Sequence, residues 1–305
     1  MSLSAYLQPL LWVLVFTPAE YLFCVYPLVL FSHERRQNIL LLVFNLTVTA
    51  LLGGAAAGLV YVAVDAVLPA GLGAPIAAWP FWLQVVASVV LADLGVYVSH
   101  RLMHTPLLWR FHEVHHSAEE MNWMVAYRFH PVDLTITGIF TSLPLLVLGL
   151  PTEAIAVART VHGVQAMLSH ANITWGFGPL RRVVVDPRFH HWHHANERDA
   201  YDRNFSALLV LWDWLFGTLY VPERPRAAVF GTGDLARRGI VDLLLDPFRP
   251  SVAPPAGEAA PVERDAPELV PSAPTLMPAT AQGGAASADG THQMQRPAAM
   301  ATTGR

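Results

Sequence analysis

Histidine is the residue with which the chemistry of this chain starts. Of 14 histidines, 12 fall between positions 100 and 194. His100 and His104 form an H-x-x-x-H. His112, His115 and His116 form an H-x-x-H-H, and His190, His193 and His194 form a second one around His191. On a helix, residues i, i+3 and i+4 share a face, so each run aims two or three imidazoles at one point. Imidazole suits zinc, copper, iron and nickel, and one zinc takes three or four protein ligands. Eight to ten convergent histidines are too many for one ion, so the count predicts two metals. His130, His162 and His170 lie singly between the runs. His191 is the unpatterned member of its run and reads as a supporting group. Lone His33 and His292 read as structural or surface residues. The single Cys24 excludes a thiolate cluster and an intramolecular disulfide framework.

Metal-bound imidazoles need partners that fix their tautomers. Asp93, Asp133, Asp186 and Asp202 are the carboxylates nearest the runs. Asp93 and Tyr97 stand about two turns and one turn before His100 on the same helical face. Arg159, His162, Gln165 and His170 share a face of another apolar helix. Polar groups within a span normally face a bundle interior or cavity, so this helix is expected to line the site.

The elements that must position these groups are apolar. The 305 residues are 53% hydrophobic and 14% charged, against about 25% charged in a soluble domain. This excludes a disordered chain and argues against an ordinary cytosolic enzyme. A net charge of -4 gives no reason to expect nucleic acid or another polyanion as partner. All 19 basic residues are Arg, which reads as genome composition. Residues 7–31, 39–64 and 79–99 are long enough to span about 30 Å of hydrocarbon. Residues 134–150 and 152–170 read as a helical hairpin turned at Leu148-Gly149-Leu150-Pro151. No basic leader and cleavage site precede the first span, which is expected to be retained. Arg placement puts the loops carrying the histidines in the cytoplasm. The expected fold is all-α: a multi-pass transmembrane helical bundle with a cytosolic His-rich helical cap, in a bacterial inner membrane. Three regions follow: membrane helices 1–78, a catalytic region 79–249, and a Pro/Ala/Ser/Thr/Gly-rich tail 250–305 expected to be disordered.

Beyond the histidines, the pattern resembles the fatty acid hydroxylase/sterol desaturase superfamily of membrane di-iron oxygenases. The matching residues are Asp93-x-x-x-Tyr97-x-x-His100-Arg-x-x-His104, Trp109-Arg-Phe-His112-x-Val-His115-His116-Ser, Arg128-x-His130-Pro131 and His170-Ala-Asn172-Ile. They continue with Pro187-x-Phe-His190-His-Trp-His193-His194, with Arg203-Asn-Phe, and with Leu211-Trp-Asp-x-Leu-Phe-Gly217-Thr. The resemblance covers roughly 86–249. It implies two iron ions that activate O2 to hydroxylate or desaturate an unactivated C–H bond of a membrane lipid, such as a sterol or fatty acyl chain. It implies ligands at His100, His104, His112, His115, His116, His190, His193 and His194, with His130 and His170 as the ninth and tenth. Electrons would come from a separate cytochrome b5-type or ferredoxin-type donor with its reductase, because the chain has no flavin, haem-attachment or fused electron-transfer motif.

Two other readings compete. His112-Glu113-x-x-His116 also satisfies H-E-x-x-H, with Glu113 as the base of an intramembrane zinc protease. That reading leaves the second H-x-x-H-H and the H-x-x-x-H unexplained. A bis-His haem protein or metal carrier would need histidines inside opposing spans or near the midplane, whereas these cluster at span ends.

Overall fold

The computed structural model describes residues 3–67 and 74–249. The tail expected from 250 onward lies outside the described residues. Among the described residues eleven α-helices follow one another: α1 Leu3–Phe23, α2 His33–Phe44, α3 Ala50–Val67, α4 Ala74–Ala77, α5 Phe81–Met103, α6 Trp109–His116, α7 Pro131–Val147, α8 Thr152–His170, α9 Pro187–His193, α10 Leu211–Phe216 and α11 Ile240–Leu245. Among the described residues there is no strand, only isolated bridges at Val184–Leu209 and Ala195–Phe230. The protein is all-helical.

The expected first span, 7–31, breaks at Phe23 because long-range bonds replace helical ones. Asn172 Oδ1 accepts from the backbone N–H of both Val25 and Tyr26, and Asn172 Nδ2 donates to the Tyr26 carbonyl. Glu20, which broke the apolar run of α1, is fully buried rather than facing outward. It accepts from the backbone N–H of Trp123 and Asn172 and pairs with Arg35 at 3.1 Å. These bonds tie α1 and α2 to the segment that carries His170.

The expected second span, 39–64, is α2 and α3 joined by a π turn at Asn45–Thr49. Asn45 Nδ2 donates to the carbonyls of Tyr127 and Phe129, a long-range reason for a bulge within an otherwise continuous helix. The third span appears as α5. Among the described residues it is the one helix long and apolar enough to cross a membrane, while Leu10–Phe23 and Pro131–Val147 are shorter apolar segments.

α5 packs against both α7 and α8. A Cβ on Gly95 would lie 2.9 Å from the Phe140 carbonyl carbon and the Thr141 Cα, so only glycine lets α7 approach this closely. The expected hairpin forms. Gly149 takes φ 65°, its N–H bonds to Leu146 and that of Leu150 to Leu145, a Schellman closure of α7. α8 then returns alongside α5.

Candidate metal centre

Four helices deliver imidazoles to one end of the α5–α7–α8 packing. α5 carries His100 in its last turn and is capped by His104, α6 carries His112, His115 and His116, α8 ends at His170, and α9 carries His190 and His193 with His194 as its C-cap. α9 starts where the sequence favours it. Asp186 Oδ1 accepts from Phe189 N–H as N-cap, and Pro187 takes the first turn.

Nine histidines form two sets. One is His100, His104, His112, His116 and His193; the other is His115, His170, His190 and His194. Within each set the ligand nitrogens lie within 4.8 Å of one another. The division follows helix geometry. Residues i and i+4 are about 40° apart around a helix, while i+3 lies about 60° to the other side of i. His100/His104 and His112/His116 therefore serve one set and His190/His194 the other. The i+3 residues, His115 and His193, cross to the opposite set.

Most rings are held through Nδ1. His100 donates to the Phe205 carbonyl (2.8 Å), His193 to the Arg203 carbonyl (2.7 Å), His170 to the Ala166 carbonyl (2.6 Å) and His115 to the Arg128 carbonyl (3.3 Å). His112 donates to Asp133 Oδ2 (2.6 Å) and His104 to Asp202 Oδ1 (3.0 Å). A carbonyl or carboxylate oxygen only accepts, so each of these rings has its proton on Nδ1 and a lone pair on Nε2.

The Nε2 atoms converge, with His115 and His170 both fixed as acceptors there. His170 Nε2 lies 3.2 Å from His115 Nε2, 3.1 Å from His194 Nε2 and 2.9 Å from His190 Nε2. His193 Nε2 lies 3.0 Å from His116 Nε2. In the first set, the buried Nε2 atoms of His100, His104 and His112 have no hydrogen-bond partner. Acceptors facing each other in a dry interior repel unless a cation lies between them. Nitrogens bound at 2.0–2.1 Å to one ion would stand about 2.9–3.4 Å apart in octahedral or tetrahedral geometry. The observed spacings fall in that interval, so the donor set fits a metal ion in each set. Burial first, then the neighbouring imidazoles, pushes His115, His116, His190 and His194 well below the usual histidine range. Burial, with His112 beside it, brings His193 down to about 3. Neutral imidazole is the form that binds metal.

The structure does not bring every expected residue to these sets. His130, expected as a ninth ligand, is the N-cap of α7: its Nδ1 accepts from Val132 N–H and its Nε2 donates to the Leu244 carbonyl. His191 packs against Tyr26 and Phe230, with Nε2 3.4 Å from the His170 carbonyl. His162 Nδ1 donates to the Ala158 carbonyl, and its Nε2 lies 3.4 Å from Asp93. Asp93 orients no member of either set. It accepts from the backbone N–H of Leu208 and Leu209 and from Trp212 Nε1, and so anchors the loop whose Phe205 carbonyl holds His100. Tyr97 bonds to Thr218 (2.9 Å) and stacks on Phe216. Arg159 donates to Ser142 and lines a cleft of about 270 Å3 with Trp12, Tyr127 and Met167. Glu113 has Thr232, Asp246 and Arg238 around it, and burial raises it to about 7. It faces away from the imidazoles, which removes the base from the H-E-x-x-H reading.

Sequence reasoning missed Asp213, which accepts from the backbone N–H of Phe205 and Ser206 and from Thr218 Oγ1. Its place in Leu211-Trp-Asp was visible, but nothing marked its role. It also missed Arg128 as a buried strut, donating to the Val114 carbonyl, Ser117, Gln37 and Asn38. The four carbonyls that hold rings leave no side-chain signature at all.

An all-helical protein that joins two buried polyhistidine sets at the end of an apolar helix is the class this fold and site define. Residues 85–218 match the fatty acid hydroxylase family model, and over this region the chain is similar to that family. An ornithine lipid hydroxylase of Rhizobium tropici is 36% identical over 172 residues, 56% of this chain and 52% of that protein. Alkylglycerol monooxygenases of Danio rerio and Homo sapiens are 33% and 32% identical over 48% and 41% of this chain, and over 31% and 28% of their own lengths. The matched region thus spans about half of the first relative and less than a third of the others. No solved structure matches the chain.

Proposed function

We propose that the chain is a multi-pass membrane oxygenase that hydroxylates an unactivated C–H bond in the apolar part of a polar lipid, using two iron ions and O2. The observation that carries this reading is the pair of adjoining imidazole sets with inward lone pairs. His100, His104, His112, His116 and His193 would hold one iron; His115, His170, His190 and His194 would hold the other. Two bound irons with O2 supply an oxidant strong enough for such a bond, which side chains alone do not provide. The chain's own residues do the rest. Asp133, Asp202 and the ring-holding carbonyls fix orientation and tautomer. Phe129, stacked on His115 at 4.0 Å, and Phe205, edge-on to His100, wall the imidazoles with apolar surface and exclude water.

Membrane embedding is supported by large apolar side chains exposed along the N-terminal helices, among them Leu14, Leu22, Leu51, Leu59 and Trp82. With the Arg-rich loops in the cytoplasm, the imidazole sets sit at the cytosolic end of α5, where a lipid chain can reach them from the bilayer. The relatives' names, an ornithine lipid hydroxylase and alkylglycerol monooxygenases, favour hydroxylation of a polar lipid over desaturation. The segment 79–249 is the catalytic unit, 1–78 supplies membrane helices, and residues after 250 are dispensable. A separate cytochrome b5-type or ferredoxin-type protein delivers electrons.

Metal analysis of anaerobically purified protein tests the reading. About two irons per chain are expected, one of them lost in His112→Ala/His193→Ala, whose residues serve the same set. One zinc without iron in protein from iron-replete cells, with peptide hydrolysis that depends on Glu113, would sink it.

A further inference from the structure

A cavity lies on the far side of α9 from the metal sets. It has a volume of about 830 Å3, within the usual range of small-molecule sites. Phe189, Trp192 and Val210 line its depth, and Trp214 and Leu219 its sides. α9 therefore presents His190, His193 and His194 to the metal sets while Phe189 and Trp192 line this cavity.

Three arginines share the cavity with this apolar lining. Arg188 Nη2 is used internally, donating to the carbonyls of Pro222 and Arg224. Arg181 and Arg182 belong to the short turn Gly178–Arg182 and are exposed. Neither side chain makes a hydrogen bond or ion pair among the described residues. The one carboxylate in the lining, Asp186, is buried, caps α9 through Phe189 N–H and forms no ion pair with either arginine.

The surrounding surface is apolar. Leu180, Val183, Leu211, Trp214, Leu215 and Phe216 are all exposed, Trp214 by 68%. A patch of this kind on a water-facing surface is costly, and tryptophans favour the boundary between lipid and water. An apolar trough with two unneutralised cations beside it matches an amphiphile with an acyl chain and an anionic head. A protein partner matched by charge alone leaves the trough unfilled.

We propose that this cavity binds an anionic phospholipid of the bilayer, its chain over Phe189, Trp192 and Trp214 and its phosphate on Arg181 and Arg182. The site is separate from the metal sets. The inference rests on the membrane embedding proposed above and not on the identity of the metal.

The test uses the full chain in phosphatidylcholine nanodiscs, whose assembly itself checks membrane embedding. A few per cent of the lipid carries brominated acyl chains, which quench indole fluorescence on contact, with either a phosphatidylglycerol or a phosphatidylcholine head. Tryptophans that merely face lipid respond equally to both probes. The phosphatidylglycerol probe is expected to quench at a lower mole fraction, by about fivefold for each arginine engaged. Trp214→Phe should shrink that difference, and Arg181→Gln/Arg182→Gln should abolish it. Both arginines are exposed, so this variant keeps the fold. Equal quenching by the two probes would overturn the proposal. So would a phosphatidylglycerol preference that survives the arginine pair, or one that an acidic polypeptide removes while leaving brominated chains unable to reach Trp214.

Discussion

Two carboxylates hold two imidazoles of the same set through the same kind of bond, and burial separates their weight. Asp133 Oδ2 lies 2.6 Å from His112 Nδ1, with side chains 2% and 3% exposed. Asp202 Oδ1 lies 3.0 Å from His104 Nδ1, but the Asp202 side chain is 53% exposed. Truncating Asp133 to Ala leaves a buried Nδ1–H without an acceptor, costing about 1–3 kcal/mol, and frees the ring to take the wrong tautomer. Outer partners of metal-bound imidazoles are worth about 10–100-fold in affinity, and the dry setting puts Asp133→Ala towards the upper end. In Asp202→Ala water replaces the carboxylate, and an exposed ionic contact is worth about 0–1 kcal/mol, so a loss below about fivefold is expected. Asp133→Asn can still accept from Nδ1–H through its amide oxygen, so it should fall between Asp133→Ala and the native chain. The assay is metal retention against a graded chelator in anaerobically loaded protein, with circular dichroism to show that helix content is kept. An Asp202→Ala loss equal to or larger than that of Asp133→Ala would refute the reasoning, since burial would then not decide the strength of the contact.

Gly95→Val should destabilise by at least about 1–3 kcal/mol, because the new side chain meets the α7 backbone at Phe140 and Thr141. A thermal midpoint within error of the native chain would mean that α5 and α7 do not pack this closely. The second expectation concerns pH. Burial brings His191, with Arg226 nearby, and His193 to about 3, against about 6.5 for a free imidazole. Between those values the unfolded chain binds protons that the fold refuses, so metal-stripped protein loses stability as pH falls from about 6.5 towards 3. Each residue contributes up to about 1.4 kcal/mol per pH unit. Chelated protein should therefore melt lower at pH 5.5 than at pH 7.5, and an unchanged or higher midpoint would contradict the burial of these rings.

The sequence carried the site further than the fold. The three patterned runs are local signals, and helix geometry turns their spacing into shared faces, so eight of the nine converging histidines stood out in advance. His170 was a lone residue, and only its resemblance to a family motif suggested a ligand. His130 looked equivalent by the same criterion and is a helix cap. The His-Pro step at a helix start carried that alternative signal. Asp133 and Asp202 were marked by nearness in sequence. Asp93 was marked in the same way yet serves a loop, because what a carboxylate bonds to depends on chain more than a hundred residues away. The break of α1 at Phe23 has the same origin. Nothing local stops that helix, and Asn172 does so from 147 residues away.

The ring-holding carbonyls of Arg203 and Phe205 belong to a segment fastened by Asp93 and Asp213. His100 is held from 105 residues downstream. During synthesis at about 5–20 residues per second, the first imidazoles precede the segment that orients them by roughly 5–20 s. Until that segment arrives, the exposed His100, His104, His112, His115 and His116 are flexible ligands open to any divalent ion nearby. The order in which the chain is made thus separates ligand supply from ligand alignment. In the proposed metal centre, selection of the ion would fall to the last stage of folding, when Asp213 closes the loop and the rings are aligned.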